Sequence, residues 1–332
     1  MALTPETIAA WSVALPGTLG LAAGIACRVI GADAASRIPR MVRGVLPVAA
    51  ALLGYAVAEV FVRGWPSESP IRLAWPILSE LSSSQWGIWI AVVATLAAGV
   101  EAFVLRKTVV RQTARWLGRA VAVAFLGLAL LASVVERGEF DSALEASLWL
   151  GGTAGLALSA MGLTDLALSR CGARTGGAAL LLAGTVFSLL LFMGGLAPQA
   201  QVLGGLFAAF GGLTVAGGAT AGTLSGAPVT LFFTLLTAGA VTGHFHAYPE
   251  FDAWVWAAAM LLSPMTLSGA LVARLPRPVF TFLAKLAIPA AAAAGLVGFL
   301  IATLGVPEIP GINDGTGSSG SESEPDYSDW PG

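Results

Sequence analysis

The stretch GHFHAYPEFD, residues 243–252, contains both histidines of the chain, His244 and His246, with Glu250 and Asp252 close behind. Imidazole nitrogens beside carboxylates make a zinc-type donor set. Imidazole is also the one ordinary side chain that titrates near neutrality. The spacing constrains both ideas. Residues two apart on a helix are rotated by about 200°, so His244 and His246 can share a metal only on extended backbone, which Pro249 permits. Three readings follow: a divalent-metal site formed by His244, His246, Glu250 and Asp252, a pH sensor, or interfacial histidines at the end of a helix.

Little else in the chain is equipped for chemistry. It has no Ser–His–Asp arrangement, HExxH, P-loop or dinucleotide fingerprint. A haem held between helices needs histidines on separate spans. No catalytic residue is therefore assigned, no cofactor is expected beyond that divalent metal, and an enzyme is not the expected class. Two cysteines, Cys27 and Cys171, are too few for a disulfide framework or a CxxC site.

The elements that carry these residues follow from composition. The chain is 56% hydrophobic and 11% charged, against about 25% charged in a soluble domain. Its apolar runs fall at 9–27, 44–62, 86–105, 120–135, 146–165, 177–197, 204–222, 228–246, 253–273 and 284–304. Most approach the about 20 residues that a transmembrane helix needs. The expected fold is an all-α integral membrane bundle of about ten helices over residues 1–304. The N-terminal segment lacks the basic n-region of a cleavable signal peptide, so the first run is expected to stay in the membrane. From Val306 the chain turns rich in Gly, Ser and acid without Lys or Arg, and residues 305–332 are expected to form a disordered acidic tail.

Charge orients the spans. Loops such as RKTVVRQTARWLGR and RLPRPVFTFLAK are basic, whereas ERGEFDSALEAS and YPEFD are acidic. The positive-inside rule puts the basic loops in the cytoplasm, and only Arg63, Arg72 and Arg137 then fall outside. Residues 175–249 hold no Asp, Glu, Lys or Arg. They run from an inside loop to an outside one, with room for three crossings at about 20 residues each. Both termini are then expected outside, in the cell membrane. Most tryptophans, including Trp86, Trp89, Trp149, Trp254 and Trp256, fall at the outer boundary, as interfacial Trp should.

Several residues are singled out on this frame. Lys107, Arg111, Arg115 and Arg119 recur every four residues, and a helix presenting them together could rest on anionic lipid headgroups at the cytoplasmic face. Glu59, Glu101 and Asp165 are candidate intramembrane ionisable groups, with Arg63, Arg106 and Arg170 as local partners. The pairs Gly204–Gly205, Gly211–Gly212 and Gly217–Gly218 should let neighbouring backbones approach closely.

The midplane has no charge, and Asn313, in the tail, is the only asparagine. That argues against a carrier of charged or sugar-like solutes. The chemistry points to a transporter- or flippase-like protein for an apolar or amphipathic substrate, with a membrane-spanning cavity lined by Thr, Ser and Gly. The alternatives are a non-catalytic subunit or scaffold packed with other membrane subunits, and an outward-facing sensor using His244 and His246. The lipid bilayer is the expected partner, and nucleic acid is not.

Overall fold

The computed structural model describes residues 10–31, 37–63, 86–103, 108–131, 134–135, 138–171, 173–216, 224, 226–246, 252–253, 255–262 and 278–304. Among these residues the chain is helical, with no strand. A π-helical turn, Ala10–Ala14, leads into α1 (Leu15–Gly31). Next come α2 (Arg37–Arg63), α3 (Trp86–Phe103) and α4 (Thr108–Leu126), the last running into a second π turn, Gly127–Leu131. The chain continues through α5 (Ala143–Cys171), α6 (Ala173–Met193), α7 (Ala197–Val215) and α8 (Ala227–His246). A short helix α9 covers 255–262, and α10 is Pro278–Leu304.

Each apolar run of the sequence thus contains helix, and six helical segments among the described residues are long and apolar enough to cross a membrane. Their outward faces are apolar too. Val29, Leu96, Leu128, Leu144 and Val215 are all exposed, an arrangement that water would penalise and a bilayer would not. The chain has the build of a helical membrane protein.

The bundle is organised around α8. Its sequence is apolar on every face, and residues 227–243 are buried without exception, as expected of a helix surrounded by others. It packs against α2, α3, α4, α5, α6 and α7. Its threonines enter this core by bonding back to their own helix. Thr234 donates to the Thr230 carbonyl at 2.7 Å and Thr237 to the Phe233 carbonyl at 2.6 Å, the back-bonding open to Thr on a helix.

A second packing centre joins α1, α2 and α7, and there small residues decide the geometry. A Cβ on Gly205 would lie 2.6 Å from the Ala58 Cβ and 3.1 Å from the Gly54 carbonyl oxygen. One on Gly212 would strike the α1 backbone at Gly17 and Leu21. Lipid tails are as apolar as these side chains, so contact of this kind rather than exclusion of water holds the helices together. The paired glycines are not equivalent. Gly211 faces Leu181 of α6, and Gly204 has nothing within 4 Å. Gly217 and Gly218 lie outside the described residues.

The structure corrects the sequence expectation at α4. The basic segment before residue 120 does not precede the fourth helix. It is the first three turns of that helix, which begins at Thr108. Two of its basic residues, Arg115 and Arg119, turn towards the bundle, while Arg111 is exposed. Val110, Leu117, Val121 and Leu128 form an exposed stripe, while Arg119 is turned into the bundle and is only 1% exposed. In apolar surroundings a charged face is best placed inward, provided that a partner waits there.

Candidate functional site

Two ends of the bundle concentrate the polar and aromatic groups. At one end, α4, α5 and the start of α8 meet at Asp165. This carboxylate accepts from Arg115 Nη1 at 3.0 Å, from Arg119 Nη2, and from the backbone N–H of Gly226 at 2.9 Å. Arg119 Nε donates to the Thr230 hydroxyl at 3.2 Å, and that hydroxyl donates to the Gly226 carbonyl at 3.0 Å. The guanidinium also lies 5.0 Å from the centre of the Trp116 ring. Trp116 approaches α5 at Gly162, where an added Cβ would sit 3.0 Å from the indole.

Local sequence explains the convergence. Arg115 and Arg119 are four apart and share a face of α4. Gly226 has φ +79°, a backbone conformation that suits glycine, and Pro228 follows in the first turn of α8, where its missing N–H costs little. Asp165 therefore closes the N-terminus of the central helix as well as the arginine pair, and the positive end of the helix dipole adds to its stabilisation. The carboxylate holds two guanidinium groups and a helix N-terminus together, so the knot works as a fastening.

The opposite end is built of aromatic rings. His244 stacks on Trp149, with centroids 4.5 Å apart and planes 30° apart. Phe245 meets Phe140 edge-on at 5.6 Å, and Trp256 packs against Gly243 and against Phe187 at 5.4 Å. Beside these rings is a cavity of about 380 Å³, within the roughly 300–1,000 Å³ of small-molecule sites. Three helices each line it with one face. Glu145, Trp149, Gly152 and Leu156 come from α5, and Thr237, Val241 and His244 from α8. Ala253, Trp256 and Met260 complete the wall. Leu148, also on the wall, is 66% exposed, so the cavity opens sideways at the periphery of the bundle.

Glu145 has a second task. Its backbone N–H donates to the Ser142 hydroxyl at 3.1 Å, and its carboxylate accepts the Asp141 N–H at 2.9 Å. This variant of the capping box fixes the start of α5 and holds the carboxylate at the mouth of the cavity. No family profile, characterised protein or solved structure matches this chain. Its chemistry has to be argued from these two ends.

The residues singled out in the sequence are distributed as follows. The side chain of Arg170 lies outside the described residues. Asp165 is at the centre of the ionic knot with Arg115 and Arg119 as partners. This is a correction to the lipid-facing role of Arg119 and, in large part, of Arg115, whose side chain is 23% exposed. Arg111 is exposed on α4, and Lys107 lies outside the described residues. Glu59 is half-buried on α2. Glu101 lies on α3, its side chain outside the description. His244 and His246 are both helical residues. His244 lines the cavity, while His246 and Asp252 are exposed. Among the described residues no three His, Cys, Asp or Glu side chains gather as a metal set, and Glu250 lies outside them.

The cavity also differs from the one expected. It is walled mainly by Trp, Leu and Met, with Thr153, Thr237 and Gly152 as minor contributors, and it is confined to one end. Glu145 and Met260 carry no sequence signal that would single them out. Trp149 and Trp256 do, although as markers of an interface rather than as walls of a site.

Proposed function

We propose that this chain is a ten-span protein of the cell membrane with both termini outside, and that its lateral cavity receives an amphipathic molecule from the outer leaflet. That step suits a transporter- or flippase-like protein. The observation that carries the reading is the cavity between α5, α8 and α9. It is mostly apolar, open towards the periphery at Leu148, and has its ionisable groups, Glu145 and His244, at the end of the bundle. A hydrocarbon chain suits the first part and a headgroup the second.

The orientation draws support from charge. Arg111, Arg115 and Arg119 lie at the knot end, whereas Glu139, Asp141, Glu145 and Asp252 lie at the cavity end, the asymmetry that the positive-inside rule associates with cytoplasm and exterior. Arg111 is exposed at this end, where a basic residue would lie near anionic headgroups on the cytoplasmic side. The ionic knot would hold the bundle shut at that side while the cavity is open at the other, as alternating access requires of one state.

Gly152 offers a clean test. It lines the cavity, and a Cβ there would meet nothing within 4 Å, so Gly152→Trp can fill the space without disturbing the fold. The probe is a single-chain alcohol carrying a diazirine in its alkyl chain, added to the protein in a neutral-lipid nanodisc. Labelling concentrated on residues 148–156 and 237–244, and abolished by Gly152→Trp, is the expected result. Labelling spread evenly over the exposed helices and unchanged in the variant overturns the reading.

A further inference from the structure

Resting on that reading, we infer that the cavity selects amphiphiles with a positively charged head, such as a primary or quaternary alkylammonium, over neutral or anionic ones. Four observations lead there. Among the described residues the one acidic side chain on the wall is Glu145, and neither lysine nor arginine lines the cavity. The position of that carboxylate is fixed, because the Asp141 N–H holds its Oε2 atom. Oε1 accepts no hydrogen bond among the described residues and is open to a cation.

The wall also carries two indoles, and Trp149 lies one turn beyond Glu145 on the same face of α5. Indole faces attract cations, and aromatic cages for quaternary ammonium groups are the familiar use of this force. Finally, the described charged side chains at this end include Glu139, Asp141, Glu145 and Asp252. Their summed field attracts cations and repels anions before contact. His244, stacked on Trp149, completes this part of the wall.

The size of the cavity fits one alkyl chain rather than two. At about 380 Å³ it holds on the order of a dozen methylenes, each occupying roughly the share of liquid volume of a water, about 30 Å³. The occupant is therefore a single-chain cationic amphiphile, or one chain of a larger lipid whose second chain stays in the bilayer.

The test uses the full-length protein in neutral-lipid nanodiscs and three photoreactive probes with the same diazirine alkyl chain. Their heads are trimethylammonium, hydroxyl and sulfonate. The expected result is labelling of the cavity wall by the ammonium probe at about one-tenth the concentration needed for the alcohol, a step equal to one decade of affinity, and weakest by the sulfonate. Glu145→Gln keeps an acceptor for the Asp141 N–H and should remove that preference while leaving alcohol labelling in place.

Equal labelling of the wall by all three probes overturns the charge selectivity and leaves the lipid cavity standing. A preference that survives Glu145→Gln overturns the role of Glu145, because surface potential alone would then explain it. Absence of wall labelling by every probe overturns both the selectivity and the cavity reading on which it rests.

Discussion

The two ends of α8 solve the same problem in opposite ways. In its first turn, at Thr230, the helix sits inside a set of bonded charges: Asp165 takes Arg115, Arg119 and the Gly226 N–H. At His244 the helix ends among rings that stack but leave about 380 Å³ unfilled. Directional bonds between charged groups demand one geometry and lock it. Aromatic and aliphatic walls tolerate a guest, because dispersion contacts can be made with a ligand as well as with a neighbour. One end is suited to staying closed and the other to being occupied.

The sharpest way to break this contrast is at Asp165. Asp165→Leu strands Arg119 inside the bundle without its counter-charge, and the expected loss of stability is about 3–5 kcal/mol, the range for breaking one side of a buried ion pair. Replacing both partners, as in Arg119→Met/Asp165→Leu, should be less harmful than Asp165→Leu alone, since an apolar pair of similar volume needs no counter-charge. Unfolding in detergent followed by circular dichroism measures both. A double variant no more stable than the single one would mean that the knot is not a mutual pairing.

Packing gives the next effect. Gly212→Leu forces α1 away from α7 and should cost about 1–3 kcal/mol, as overpacking does. Gly204→Leu enters open space and should stay within about 0.5 kcal/mol. Equal losses in the same unfolding assay would show that the glycine pairs act through backbone freedom rather than close approach.

Much of this architecture is visible in the sequence. Each apolar run contains helix, and the uncharged stretch 175–249 covers most of α6 and all of α7 and α8; α8, buried along residues 227–243, needs no charged residues. The sequence pattern also places Arg119 and Asp165 at the same end of the bundle. It does not reveal their contact, since the two are 46 residues apart and each has a nearer apparent role. Arg119 continues a basic stripe, and Asp165 precedes Arg170 by five positions. A stripe of arginines looks the same whether its face meets headgroups or a carboxylate on another helix. The partner decides, and partners across the fold leave no local trace.

The same limit applies at the cavity. His244, Trp149 and Trp256 are conspicuous as residue types, yet what they enclose depends on where α5, α8 and α9 stand relative to one another. In the Gly204–Gly205 pair, one member meets a helix at close range and the other does not, and a Gly–Gly pair carries no mark of which is which.

The smallest expected effect belongs to Arg111, the exposed member of the basic stripe. Arg111→Ala should leave stability within about 0.5 kcal/mol. It should weaken association with anionic lipid by about 1 kcal/mol, the contribution of one basic residue near a charged surface, measured as the shift in lipid retention across nanodiscs of graded anionic content. A stability loss comparable to that of Asp165→Leu would place Arg111 in the knot rather than at the membrane surface.

The division between a closed ionic end and an occupied aromatic end is tested most directly by native mass spectrometry of the protein released from its own bilayer. The account predicts a discrete small amphiphile on the wild type, its loss in Gly152→Trp, and its retention in Arg119→Met/Asp165→Leu. A wild type released without an amphiphile but with a stoichiometric protein partner would contradict the account and favour a subunit of a membrane complex. So would an amphiphile that survives the filled cavity but disappears with the ionic knot.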